Sequence, residues 1–201
     1  MSKTRSSTNK EKNAFTKAVS EGDVSKVENM LNINRHLANI SNIFGWTQLN
    51  LAAEKGHIRI VQLLLDSGAD PNKIDHSGWT PLYFAARYGH DQIVQLLLDA
   101  GANIDKIDKY GRTPLFMAAS FGHEECIKML LDSGANINKA DKDGVTPLYI
   151  AVEKNRPRIV ELLVDVGADI NKPTKDGSTP LYVAVEKVRV QIVKLLLDSG
   201  A

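Results

Sequence analysis

Cysteine is almost absent from this chain. Cys126 stands alone among 201 residues, so no intramolecular disulfide can form, and a reducing, cytoplasmic location is expected, with the nucleus as the other such compartment. An excess of charge is missing too. Lys and Arg number 25 against 24 Asp and Glu, for a formal net charge of +1, which excludes the basic surface that nucleic acid demands. No apolar run is long enough for a membrane span, and the amino terminus lacks the apolar core of a signal peptide. No membrane partner is expected. Phosphate loops, dinucleotide fingerprints, nucleophile elbows and His-Glu-x-x-His motifs are also lacking. No catalytic residue and no cofactor are therefore assigned. Aromatic residues make up only 6% of the chain, so the places where they fall carry information.

What is present is a cassette that returns five times at an interval of 33 residues. It reads Gly45-Trp46-Thr47-Gln48-Leu49, Gly78-Trp79-Thr80-Pro81-Leu82, Gly111-Arg112-Thr113-Pro114-Leu115, Gly144-Val145-Thr146-Pro147-Leu148 and Gly177-Ser178-Thr179-Pro180-Leu181. A fixed period of this size means a stacked array whose units cannot bury their apolar faces alone. Within one unit Thr80 is placed to cap a helix and Pro81 to open it, since the first helical N–H has no intrahelical partner to lose. Leu82, Ala85 and Ala86 form an apolar stripe, Gly89 ends the helix, and a second helix follows through Ile93, Val94 and Leu97 to Gly101. Asp108-Lys109-Tyr110-Gly111 then reads as a type I turn into the next cassette. Helices this short are marginal alone. Stacking must stabilise them, and the small pairs Ala52-Ala53, Ala85-Ala86 and Ala118-Ala119 permit close approach.

These residues resemble the ankyrin-repeat family over roughly the last nine-tenths of the chain: a Gly-x-Thr-Pro-Leu opening, an Ala-Ala pair, a Gly-His step, an Ile-Val-x-x-Leu-Leu helix and a Gly-Ala-Asp/Asn-x-Asn lead. The resemblance implies an all-α solenoid of helix-turn-helix units joined by short β-hairpins and used to bind partners. It sets the expected divisions: a disordered polar tail over 1–13, a capping unit over 14–41, and five repeats over 42–74, 75–107, 108–140, 141–173 and 174–201, the last incomplete. Two departures matter. Asn50, Tyr83, Phe116, Tyr149 and Tyr182 stand where the family has His, so a hydrogen bond must be replaced or lost. Asn155 and Val188 replace the interhelical glycine, and Val188 predicts a rebuilt or strained turn.

The two ends are unequal. Lys17 and Lys26 occupy positions that are apolar in later units, as a terminal cap requires, whereas Val183 and Ile192 keep internal character. The natural protein is therefore expected to continue past Ala201, and the last unit to be the least protected against hydrogen exchange. His57, His90 and His123 recur once per unit, which suits a structural role at the helix start better than a shared metal. Cys126 lies three residues from His123 but at a position occupied elsewhere by Ile, so it is read as core, and no metal ligand is assigned. The file Asp66, Asp99, Asp132, Asp165 and Asp198 has no companion nucleophile.

By the resemblance, the residues flanking the cassette glycine and the last two of each first helix face a concave groove. Six of the twelve aromatic residues fall in these slots, all in the first three full units: Phe44, Trp46, Trp79, Tyr88, Tyr110 and Phe121. With Arg87 and Arg112 they have the composition of a binding hot spot. Trp46 and Trp79 are open to a second reading, as scaffold packed across the hairpins. The later units carry paired Lys and Glu and read as a solvated or steering face. The expected function is a monomeric, non-enzymatic scaffold that binds a protein or peptide in this groove. Two rivals remain: a module in which stacked rings and basic groups sense a nucleotide-like small ligand, and a targeting segment of a larger enzyme.

Overall fold

The computed structural model describes the backbone from Ser2 onward and the side chains from Asn9 onward. Its helices come in pairs: α1 (Ser2–Glu21) with α2 (Val24–Ile33), α3 (Gln48–Lys55) with α4 (Ile58–Asp66), and α5 (Pro81–Tyr88) with α6 (Asp91–Asp99). The series continues through α7 (Pro114–Phe121) and α8 (Glu124–Asp132), α9 (Pro147–Glu153) and α10 (Pro157–Asp165), to α11 (Pro180–Glu186) and α12 (Val190–Asp198). A short 3-10 turn covers Arg35–Asn39. Each first helix packs on the next first helix, and the second helices pack on one another from α2 to α8 and from α10 to α12, giving two parallel files. The fold is thus an all-α repeat solenoid, as the sequence predicts.

Local chemistry sets the helix bounds. The Thr47, Thr80, Thr113, Thr146 and Thr179 hydroxyls each accept from the amide three residues on, at 3.1–3.2 Å, which satisfies one of the open N–H groups of the first turn. Gly56, Gly89 and Gly122 end α3, α5 and α7 in the left-handed region. At Gly89 the demand is double, because φ is +74° and a Cβ there would overlap the ring of His123. Asn155 and Val188 keep this conformation, both at φ +55°. The turn at Val188 is therefore retained under strain and not rebuilt, because the second helix can restart only from that geometry.

Stacking buries what single units cannot. Leu82, Leu115, Ile60, Ile93, Val94 and Leu97 are at zero exposure, as are the three Ala pairs, and each fully buried large aliphatic side chain contributes about 2 kcal/mol of transfer free energy. Hydrogen bonds run across the joints as well. The Nε2–H of His57, His90 and His123 donates to the carbonyls of Ser20, Glu54 and Arg87, one unit back, at 3.3, 3.0 and 2.9 Å. Arg156 takes over this role with its Nε–H on Ser120 O at 3.4 Å. Between second helices and loops, Asn39 and Asn72 each donate from Nδ2 to a glycine carbonyl, Gly68 and Gly101, and accept an amide of the next unit, Asp70 and Asn103.

The connecting loops differ from the expected β-hairpins. Only Ser41 and Thr47 form an antiparallel bridge among the described residues. The other tips close through two backbone bonds each, from the amides of Asp75, Asp108, Asp141 and Thr174 to the carbonyls of Trp79, Arg112, Val145 and Ser178, and from the amides of Gly78, Gly111, Gly144 and Gly177 back to the carbonyls of the same Asp75, Asp108, Asp141 and Thr174. The arms beyond those bonds are too short to extend a ladder.

The amino-terminal end also departs from expectation. Residues 2–13, expected to lack structure, continue α1, while Met1 lies outside the described residues. Polar composition hid this extension because α1 needs only Phe15, Ala18 and Val19, all at 0% exposure, to anchor it on the stack. Lys17, with its side chain 70% exposed, and Lys26 face solvent, as a cap requires. At the opposite end Val185 is 59% exposed, although the equivalent Ala53, Ala86, Ala119 and Val152 are at zero.

Candidate functional site

The middle three loop tips are built by an aspartate at the start of the turn, and Asn42 plays that part in the first. Oδ1 of Asp75 accepts from the amides of Ser77 and Trp79, Oδ1 of Asp108 from those of Tyr110 and Arg112, and Oδ1 of Asp141 from those of Asp143 and Val145, all at 2.8–2.9 Å. These local bonds tighten the turn and fix the direction of the side chains between them. Successive tips are then joined by main chain: His76 N–H donates to Phe44 O, Lys109 N–H to Ser77 O, Lys142 N–H to Tyr110 O and Lys175 N–H to Asp143 O, at 2.9–3.0 Å.

On this frame the eight candidate residues fall into two groups. Phe44, Tyr88, Tyr110 and Phe121 are exposed by 63, 43, 50 and 40%, although Tyr88 stacks on His90 and Phe121 on His123 with centroids 6.3 Å apart in both pairs, and Lys109 and Arg112 lie over Tyr110. Trp46 and Trp79 are half-buried and packed into the scaffold. Trp46 stacks on Phe84 with centroids 5.3 Å apart and the planes 7° from parallel, while Trp79 stacks on Tyr83 at 5.4 Å and meets Phe84 edge-on at 5.6 Å. Of the two readings the sequence leaves for this pair, the packing favours scaffold. Arg112 is half-buried and committed: its Nε–H and Nη2–H donate to Asp108 Oδ2 at 2.9 and 2.6 Å, and Tyr110 covers its guanidinium at 4.6 Å. Arg87, by contrast, lies 5.0 Å from the ring centre of Phe121 and 5.7 Å from that of Tyr88, with no carboxylate in ion-pair range.

Asp108 is the functional position that sequence reasoning undervalues, since there it reads only as a turn former. Its side chain is wholly buried and takes five donors, the fifth being Trp79 Nε1–H on Oδ2 at 3.2 Å. Burial works against its charged form, but the bonds from Arg112 and from the backbone amides of Arg112 and Tyr110 outweigh it and hold the carboxyl below the usual range. The sequence signal that could have revealed it is Arg112 itself, the only basic residue among those that follow the five cassette glycines. Beneath lies Tyr83, 1% exposed, whose phenol burial pushes up to about 12. Its hydroxyl makes no hydrogen bond of good geometry, and the Arg87 guanidinium beside it opposes the effect of burial. At this position the family's histidine hydrogen bond is lost, and the Trp79 ring stacks there instead.

A second feature went unforeseen because the helical extension of α1 did. Thr16, Lys17 and Ser20 of α1 face Asn42, Ile43 and Trp46 of the first tip across an open cleft of about 980 Å³. None of the four exposed rings lines it. No group of three His, Cys, Asp or Glu among the described residues is placed to hold a metal ion, and no described helix is long and apolar enough to cross a membrane.

The family model for ankyrin repeats, built on three copies of the unit, matches this chain three times, over 2–75, 70–141 and 136–201. The chain belongs to the ankyrin-repeat family. Ankyrin repeats are in general protein-interaction modules, and a fold of this kind is typically non-catalytic. Shorter stretches of the array resemble parts of larger proteins. It is 38% identical over 60 residues to the 2-5A-dependent ribonuclease of Mus musculus, which is 30% of this chain and 8% of that protein. It is 38% identical over 63 residues to the NAD-capped RNA hydrolase NUDT12 of Homo sapiens, 31% of this chain and 14% of that one. With the ankyrin repeat and SOCS box protein 12 of Mus musculus it shares 37% over 69 residues, 32% and 22% of the two chains. The array thus spans less than a quarter of each of these relatives, and the likenesses to the two enzymes lie in their ankyrin regions alone.

Proposed function

We propose that this ankyrin array is a non-catalytic scaffold that docks a protein or peptide along the loop tips and first-helix ends of its first three full repeats. One observation carries the reading: four rings stay 40–63% exposed, Phe44 and Tyr110 on tips tied to their neighbours by main chain and Tyr88 and Phe121 at the ends of α5 and α7. Aromatic side chains bury large areas at low entropic cost, so rings left in solvent beside Arg87 match the composition of interface hot spots. Trp46 and Trp79 support the surface from below. A nucleotide-like ligand is a second reading, drawn from the same pairing of rings with Arg87 and from the name of the mouse ribonuclease relative. The rings are spread over three repeats and lie outside the cleft beside α1, so that cleft gives them no enclosure of the kind small ligands need.

The test is selection of random dodecapeptides on the folded array. Binders are expected to lose affinity for a Tyr88→Ala, Phe121→Ala double variant with unchanged circular dichroism. Binders that ignore those rings and depend on Glu153 and Glu186 would place the site in the wrong half. A thermal shift by nucleotides, with no peptide binder recovered, would favour the second reading.

A further inference from the structure

Charge is not spread evenly along the docking slots. In the first full repeat Lys55 pairs with Glu54 at 3.7 Å, and in the fourth Lys154 pairs with Glu153 at 3.2 Å. The tips of the fourth and fifth repeats add Lys142 beside Asp143 and Lys175 beside Asp176, so each positive slot there has a negative neighbour. The second and third repeats break this pattern. Their slots hold Arg87, Lys109 and Arg112 and no acidic residue. Asp108 lies below the surface and is consumed by Arg112 and Trp79. The nearby Glu54 is engaged as well, one oxygen by Lys55 and the other by the hydroxyl of Tyr88, at 3.4 Å. Arg87 and Lys109 are left uncompensated, and both lie against rings: Arg87 between Phe121 and Tyr88, and Lys109 Nζ 5.0 Å from the centre of Tyr110.

A guanidinium held by two rings is oriented without being neutralised, because the ring faces attract the cation but accept few of its hydrogen bonds. Arg87 also lies beside the Tyr83 hydroxyl, a neutral partner, and its remaining N–H groups can take an oxyanion in a bidentate way. From this we infer that the partner segment is acidic: a peptide that seats one carboxylate on Arg87, between Tyr88 and Phe121, brings a second toward Lys109, and lays apolar side chains on the exposed rings. The inference rests on the proposed docking surface and adds the chemistry of its occupant. The balanced outer repeats then disfavour a peptide of uniform charge along its whole length and confine the acidic stretch to the middle.

The experiment reads the composition of dodecapeptides selected on the folded array, followed by titration of one synthetic binder by fluorescence anisotropy. Asp and Glu should be enriched at two or more positions, affinity should fall as salt is raised from 50 to 300 mM, and Arg87→Gln should weaken binding about tenfold. Arg87→Lys should recover only part of the loss, since the point charge remains but the planar fork does not. Neutral or basic binders that still depend on Tyr88 and Phe121 would overturn the acidic assignment and leave the docking surface standing. Binders indifferent to those rings would remove both. Oligoadenylate bound more tightly than any selected peptide, and lost in Arg87→Gln, would overturn the assignment and give Arg87 to a phosphate.

Discussion

Cys126 shows how a single residue is silenced by its surroundings. It is 1% exposed, and burial, aided by Asp91 and Glu125, pushes its thiol up to about 12. The thiolate is the reactive form, so an aromatic disulfide reagent should leave native protein unlabelled at pH 8 and titrate one thiol in guanidinium. Val188 carries the opposite lesson, a residue kept where its backbone is strained. It is β-branched, at φ +55°, and its side chain is 77% exposed, so little packing is lost on its removal. Val188→Gly is expected to stabilise the array by about 1 kcal/mol in urea titration. At His123, burial lowers the pKa from the ordinary 6.5, against the opposing pull of the Arg87 carbonyl and with help from Arg156 and His90. A lowered value means that the unfolded chain takes up the proton first. The stability this ring contributes is complete above pH 6.5 and drains away as pH falls toward the folded value. His123→Ala should therefore cost about 1 kcal/mol at pH 7.5, and the gap to the unaltered protein should narrow at pH 5.

At the scale of elements, the helices were legible in the sequence because their signals are local. The Thr cap and the left-handed closing residue act within one or two turns and repeat five times, and a proline follows the cap in four of those units. The helical extension of α1 was not legible for the opposite reason: residues 2–13 carry no apolar stripe, and the anchor of that helix, Phe15 with Ala18 and Val19, lies downstream. The hairpin expectation failed on length, since the two backbone bonds of each tip lie within five residues and leave no arms to pair. In the candidate site the division was similar. Exposed Tyr88, Tyr110 and Phe121 followed from their slots, whereas the fate of Trp46, Trp79 and Arg112 depended on partners, Phe84, Tyr83 and Asp108, that only the stacked structure brings together. Asp108→Asn tests that cluster: it removes the charge facing Arg112 and should destabilise the protein by about 2 kcal/mol, with the loss disappearing at acid pH where Asp108 itself becomes protonated.

Across the whole molecule, stability is graded because every unit leans on its neighbours. The last pair, α11 and α12, leaves Val185 and Leu197 59 and 54% exposed, and should exchange its amide hydrogens fastest among the five repeats, with α5 to α8 the slowest, as read by mass spectrometry after deuterium labelling. Equal protection from end to end would mean the array opens as a single block. Recognition is organised differently from stability. The carbonyls that tie one tip to the next belong to Phe44, Ser77, Tyr110 and Asp143, a set that spans aromatic, hydroxyl and acidic side chains without disturbing the tie. The handle is main chain and the tool is side chain, so specificity can be rewritten one position at a time while the spacing of the tools stays constant.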